Sequence, residues 1–124
     1  MANELILIVE DNPKNLKLVR DTLQVKGYQT IEAETGEEGV RLAHERQPAL
    51  ILMDIQLPGI SGIDALQQLR ADAGTRAIPV IAVTASVMTQ DTKRIMAAGF
   101  DGFQGKPISI KQLLATVREI LDKP

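Results

Sequence analysis

The stretch Ala49-Leu50-Ile51-Leu52-Met53-Asp54-Ile55-Gln56-Leu57-Pro58-Gly59 decides the architecture. Leu50 to Met53 form an unbroken apolar run, too short for a helix and without a polar face, which describes a strand buried on both sides. The run ends on a carboxylate, and turn residues follow at once: Pro58-Gly59, then Gly62. A lone aspartate at the tip of an apolar strand is costly unless something there uses its charge, so Asp54 is the first candidate functional residue.

Working outward, Leu5 to Val9 is a second unbroken apolar strand, and it ends in Glu10-Asp11. Asn12 is a good N-cap and Pro13 fits the first position of a helix whose stripe is Leu16, Val19 and Leu23, with Leu18 and Val25 beside it. Gly27 stops that helix, and Tyr28 to Ala33 alternates weakly, as an edge strand does. Thr35-Gly36 opens a second helix running to about Arg46. Ser61-Gly62 opens a third, with Ile63, Leu66 and Leu69 on one side, ending near Ala73-Gly74. Ile78 to Thr84 reads as another buried strand, with Pro79 tolerable only at its start. Thr89 to Ala98 is a helix with a thin stripe, mainly Ile95 helped by Met88 and Met96, and Gly99 ends it. Phe100 to Gln104 is a short strand running into Gly105-Lys106-Pro107. The last helix carries Ile110, Leu113, Leu114, Val117, Ile120 and Leu121, the best stripe in the chain. Five alternations of strand and helix predict an α/β fold, a doubly wound parallel sheet with helices on both faces, over a single domain spanning residues 1–124.

Composition narrows the function classes. A net charge of −2 gives no basic field for nucleic acid, and three aromatic residues (Tyr28, Phe100, Phe103) are too few for a base-stacking platform. The absence of cysteine rules out disulfides and thiolate metal sites and suits a cytoplasmic setting. Leu5 to Val9 is too short for a signal core or a membrane span, so no membrane partner is expected. No glycine-rich nucleotide loop is present.

In a parallel sheet all C-terminal strand ends share one edge, where ligands bind. That edge receives Glu10 and Asp11 from the first strand, Asp54 from the third, Thr84 from the fourth and Lys106 from the fifth. If the first strand lies beside the third, three carboxylates meet and raise one another's pKa values, a conflict that a hard divalent cation such as Mg2+ resolves. A phosphoryl group would complete the metal's coordination, with the Thr84 hydroxyl and Lys106 ammonium as donors to its other oxygens and Asp54 as the nucleophile. Each residue alone has an ordinary explanation: a solvated loop acid, a strand-ending threonine, a surface lysine, a helix cap. Four strand ends supplying complementary chemistry is what carries the reading. His44, the only histidine, reads as a cation favoured by the end of the second helix rather than a phosphate carrier. The methionines read as core filler, and Gly59 and Gly62 as turn glycines.

These residues resemble the receiver domain of two-component response regulators over essentially the whole chain. The segments that carry the likeness are Leu7-Ile8-Val9-Glu10-Asp11-Asn12, Leu52-Met53-Asp54-Ile55-Gln56-Leu57-Pro58-Gly59 with Gly62, Val83-Thr84-Ala85 and Lys106-Pro107. The resemblance implies a flavodoxin-like fold with five helices and strand order 2-1-3-4-5, and a cis Lys106-Pro107 bond. It implies Asp54 as phosphoacceptor and Mg2+ held by Glu10, Asp11, Asp54 and the main-chain carbonyl of Gln56. Thr84 and Lys106 would contact the phosphoryl group, Phe103 would be the switch aromatic, and Gln56 and Ser86 would influence the phosphoryl lifetime. The implied partners are a histidine kinase or histidine phosphotransferase as donor and a downstream protein target. That target would be regulated through the surface around the fourth helix, fifth strand and last helix.

The switch would be no enzyme beyond its own phosphorylation and dephosphorylation. Asp101-Gly102-Phe103, Gln112 and Thr116 depart from the ion-pair set of receivers that dimerise through their last helices, so a monomer or weak dimer is expected. The closest likeness is to single-domain cell-division regulators. Met1 and the clean end after the last helix lead to the expectation of a full-length protein, with a receiver excised from a hybrid histidine kinase as the alternative. Two further alternatives are a phosphatase with an aspartyl-phosphate intermediate, disfavoured by Gln56 where such enzymes place a second aspartate, and an unphosphorylated interaction module.

Overall fold

Successive residues of a strand point to opposite faces of its sheet, and here both sets are apolar. Leu7, Val9, Ile51, Met53, Val80 and Ala82 feed one core, while Ile6, Ile8, Leu50, Leu52 and Ile81 feed another. The computed structural model, which describes residues 3–85 and 88–122, is therefore three-layered. Its parallel strands are β1 (Leu5–Val9), β2 (Gln29–Ala33), β3 (Leu50–Asp54), β4 (Val80–Thr84) and β5 (Gly102–Gly105). They are ordered β2-β1-β3-β4-β5, as the resemblance implies. The helices are α1 (Pro13–Val25), α2 (Gly36–Arg46), α3 (Gly62–Ala71), α4 (Thr89–Ala98) and α5 (Ile110–Leu121). Residues of α2, α3 and α4 close the first core, and residues of α1 and α5 close the second.

Helix starts follow their capping chemistry. The Asn12 side chain accepts from the amides of Lys14 and Asn15, Thr35 from Glu38, Ser61 from Asp64 and Ser109 from Gln112. At α4 the N-cap is Met88, which offers no side-chain acceptor.

Several boundaries and burials differ from expectation. The third helix stops at Ala71, because Asp72 turns extended and its side chain accepts from the Gly74 amide, starting a turn instead of a further helical residue. The fourth strand starts at Val80, since Ile78 is held in that turn by a bond from its amide to the Thr75 carbonyl and Pro79 has no amide to give. The fifth starts at Gly102, after Phe100 has buried its ring in the first core and the Asp101 amide has bonded to the Val80 carbonyl. Met88 and Met96 are exposed rather than core filler, as are Val25 and Ile110. Val25 and Ile110 face the groove between α1 and α5, Met88 is the N-cap residue of α4 and Met96 borders a depression beside Phe103. The Lys106-Pro107 bond is cis. Ser86 lies outside the described residues.

Candidate functional site

Register places the acids. Val9 pairs with Met53 in the β1–β3 ladder, so Glu10 and Asp54, each the next residue, lie side by side at the C-terminal edge. Glu10, Asp11 and Asp54 offer carboxylate oxygens all within 4.8 Å of one another. Asp11 faces solvent, whereas Glu10 and Asp54 are buried.

The two buried carboxylates are held by backbone amides. The Asn12 amide donates to Glu10 Oε2 at 3.2 Å, and the Gln56 amide donates to Asp54 Oδ1 at 3.0 Å. Lys106 reaches in from the end of β5. Its Nζ lies 2.8 Å from Asp54 Oδ2 and 3.4 Å from Glu10 Oε1. Its own amide donates to the Thr84 carbonyl at 2.8 Å, which ties the last two strand ends together and sets the reach of the side chain. Burial works against the ammonium charge, but the hydrogen bond and charge of Asp54, with Glu10 beside it, outweigh that and raise the Lys106 pKa. Burial pushes the Glu10 carboxyl up to about 7, and the neighbouring Asp54 adds to the effect.

The remaining candidates separate. Thr84 is buried at the tip of β4, at the same edge. Gln56 is exposed just beyond Asp54. Phe103 sits mid-β5, opposite Ala82 in the ladder, at the rim of a depression of about 190 Å³ formed with Met96, Thr116, Glu119 and Ile120. It does not join the carboxylates.

Gly62 is required by close approach: a Cβ there would collide with the Asp54 carbonyl. That contact lets the Gly62 amide donate to the Ile55 carbonyl at 2.9 Å and draws α3 against the site. Gly59, with φ of 77°, is the turn glycine expected. The Asn12 amide and the buried Gln104, which donates to Thr116 at 2.6 Å, support the site and the β5–α5 junction, and sequence reasoning missed both roles. Polar residues at such positions give no signal until their partners are known. His44 is in the last turn of α2, and its Nδ1 lies 3.3 Å from Asp72, a partner that the sequence did not suggest.

A parallel β2-β1-β3-β4-β5 sheet with an acidic triad, threonine and lysine at its C-terminal edge defines a phosphorylation-responsive signalling domain, and the comparisons name the family. Residues 6–118 match the model of the response regulator receiver domain, and the chain belongs to that family. It is 46% identical over 116 residues to the polar-differentiation response regulator DivK of Brucella ovis, covering 94% of each chain. Among solved structures it is similar to the receiver domain of the sensor histidine kinase PA1611 from Pseudomonas aeruginosa. That match has a TM-score of 0.91 and 31% identity, and covers 98% of this chain and 100% of that one. The PA1611 structure has a magnesium ion coordinated in its active-site cleft. A putative response regulator from Chloroflexus aurantiacus superposes with a TM-score of 0.93 at 26% identity, covering 98% and 99%. No helix among the described residues is long and apolar enough to cross a membrane.

Proposed function

We propose that Asp54 is the phosphoacceptor of this receiver and that the donor is a phosphohistidine on a histidine kinase or histidine phosphotransferase. A carboxylate oxygen of Asp54 attacks phosphorus, the phosphorus–nitrogen bond breaks, and the departing imidazole nitrogen keeps the electron pair and takes up a proton. The observation that carries the reading is the approach of Lys106 Nζ to Asp54 Oδ2 at 2.8 Å inside a three-carboxylate cluster. Glu10, Asp11, Asp54 and the main-chain carbonyl of Gln56 would hold Mg2+, an all-oxygen set suited to a hard cation. The metal would offset charge that three carboxylates and a phosphoryl group bring to one place. Lys106 and the Thr84 hydroxyl would donate to the phosphoryl oxygens. The Gln56 amide cannot act as acid or base, which favours a held phosphoryl group over enzymatic turnover of phosphate esters.

Phosphorylation would add about −1.5 to −2 charge at Asp54. Thr84 following the new oxygens would open space for Phe103 to turn and would alter the α4–β5–α5 surface, the place for a downstream protein target. The donor has an approach on the other side. α1 begins directly after Asp11-Asn12 and α5 shortly after Lys106-Pro107, and between them runs a groove of about 610 Å³. Leu18, Val25, Ile110 and Leu114 line it; Lys17 is paired with Asp21 at 2.6 Å in the same wall, while Lys14 and Lys26 stand beside it, which suits an apolar helix face with acidic flanks.

The test is incubation with Mg2+ and acetyl phosphate followed by intact mass. One acid-stable, hydroxylamine-labile phosphoryl group is expected on the wild type and none on Asp54→Asn, since an amide is not a nucleophile at neutral pH. Full labelling of Asp54→Asn would overturn the assignment.

A further inference from the structure

The two ends of α4 are packed differently. No residue from Thr89 to Arg94 is buried, and Ile95 is the only α4 side chain fully inside the core. Its N-cap, Met88, makes no side-chain capping bond. The other end differs. Gly99 closes the helix with φ of 110°, Phe100 is buried, and the Asp101 amide donates to the Val80 carbonyl at 2.8 Å.

One guanidinium gathers that end. From the last turn of α3, Arg70 Nη1 donates to the carbonyls of Arg76 at 3.0 Å and Ile78 at 2.6 Å. Its Nη2 donates to the Gly99 carbonyl at 3.2 Å and to Asp101 Oδ2 at 3.0 Å. Asp101 Oδ2 in turn accepts from the Val80 amide at 2.8 Å. Four donations from a planar fork join the end of α3, the loop before β4 and the α4–β5 turn, and the Val80 amide's bond to Asp101 adds the first residue of β4. A lysine point charge cannot reproduce such a junction.

We propose that Arg70 is a positioning residue of the switch: with Asp101 it pins the C-terminal end of α4, so that α4 moves about that end. A displacement beginning at Thr84 enters α4 at its uncapped, unburied N-terminal end. A pinned far end converts it into rotation of the helix, whereas a loose one would let the whole helix detach and the signal dissipate. The inference rests on Asp54 being the phosphorylated residue, because that sets where the displacement starts.

Amide exchange on wild type, Arg70→Met, Asp101→Asn and Arg118→Met, with and without Mg2+ and beryllofluoride, tests it. Arg118 is the matched control. It donates to Tyr28, Glu4 and Asp122, a similar junction on the far side of the sheet. In resting wild type the amides of Val80 and Asp101 should exchange roughly tenfold or more slowly than those at the start of α4, the scale of one charge-assisted bond. Beryllofluoride should change exchange in residues 88–95 and leave 99–102 alone. Arg70→Met and Asp101→Asn should speed exchange at Val80 and Asp101 by about that factor and spread the beryllofluoride response along all of α4. Phosphorylation of Asp54 by acetyl phosphate should be unchanged in both.

The proposal is overturned if both variants keep the wild-type pattern, if Arg118→Met reproduces their effect, or if beryllofluoride alters 99–102 in wild type as much as 88–95. A wild type that neither takes up phosphoryl nor responds to beryllofluoride removes the reading of Asp54. The resting rates at Val80 and Asp101 still decide whether Arg70 pins the helix.

Discussion

α4 and α5 are neighbours in sequence, of similar length, and each flanks β5, yet they are built for opposite duties. α5 starts on a Ser109 cap, buries Leu113, Val117 and Ile120, and is tied through Arg118 to Tyr28 and Glu4 at the opposite end of the chain. The N-cap of α4, Met88, makes no side-chain capping bond, and the helix buries only Ile95. Burial and capping are the main stabilising terms for a surface helix, so α5 belongs to the frame and α4 is weakly held. The domain thereby places a stable helix next to the groove proposed for its donor and a loosely packed one next to the surface proposed for its target. A fold stable everywhere could bind a phosphoryl group without passing the event on.

The largest effect that could break this contrast comes from emptying each core position. Leu113→Ala in α5 should lower unfolding free energy by ~2–5 kcal/mol and shift the whole urea transition. Ile95→Ala removes an equally buried side chain, but α4 can loosen without the rest of the domain unfolding. Its penalty in global unfolding should therefore be smaller, with the excess appearing as faster amide exchange confined to residues 88–98. Equal global penalties and no local exchange difference would show that α4 is as much a part of the frame as α5.

Next in size is the metal. A site of three carboxylates with one ammonium should gain from Mg2+ by ligand linkage, about 2.7 kcal/mol at a hundredfold excess over its dissociation constant. The melting temperature should rise in wild type and rise less in Asp11→Asn, since Asp11 is the exposed member of the three-carboxylate cluster proposed to hold the metal. If the stabilisation reaches α4, exchange in residues 88–95 should slow on metal addition. If it stays with β1 and β3, metal binding alone does not move the switch, which would sharpen the division between the two helices.

Protonation gives a smaller handle on the same site. The Glu10 carboxyl is raised from 4.5 to about 7 in the folded protein. Between those values the folded state binds more protons than the unfolded one, so this group's contribution is fully present below 4.5 and is lost as pH rises toward 7. The metal-free protein should therefore lose stability across that window, and Glu10→Gln should flatten the slope. Mg2+ affinity should run the other way, increasing as Glu10 ionises. A pH–stability profile identical in wild type and Glu10→Gln would remove the assignment of this shift.

How far the sequence could be read follows from the same physics. The edge residues Glu10, Asp11, Asp54, Thr84 and Lys106 were legible because a parallel sheet sends every strand end to one side, so position along the chain stands in for position in space. The α5 stripe was legible because Leu113, Leu114, Val117, Ile120 and Leu121 repeat at helical spacing, with only Ile110 of the expected stripe left exposed. Arg70 was not: an arginine in the last turn of a helix looks like an ordinary dipole counter-charge, and its partners lie up to 31 residues away. In the sequence, Asp101 stands only in the run Asp101-Gly102-Phe103 that departs from the dimerising receivers, whereas the fold occupies its carboxylate with Arg70 and the Val80 amide. Exposure of Met88, Met96, Val25 and Ile110 was equally hidden, because hydropathy reports what a side chain prefers and not what packs against it.

The smallest expected effect is the most direct repair of the difference between the helices. Met88 already has the extended backbone of an N-cap, with φ of −63° and ψ of 148°, and the residue is 61% exposed. Its carbonyl accepts from the amides of Asp91 and Thr92, so the first turn is formed, but the Met88 side chain itself makes no capping bond. Met88→Ser supplies a hydroxyl like that of Ser109 at α5 while removing little buried apolar surface. It should stabilise α4 by about 0.5–1 kcal/mol, seen as slower exchange in residues 89–94 with nearly unchanged global unfolding. A helix held at both ends should respond less to beryllofluoride, and exchange changes in that segment should shrink while phosphoryl uptake at Asp54 continues. If Met88→Ser slows resting exchange but leaves the beryllofluoride response at full size, weak holding of the N-terminal end is not what lets α4 move. The contrast with α5 would then have to rest on burial alone.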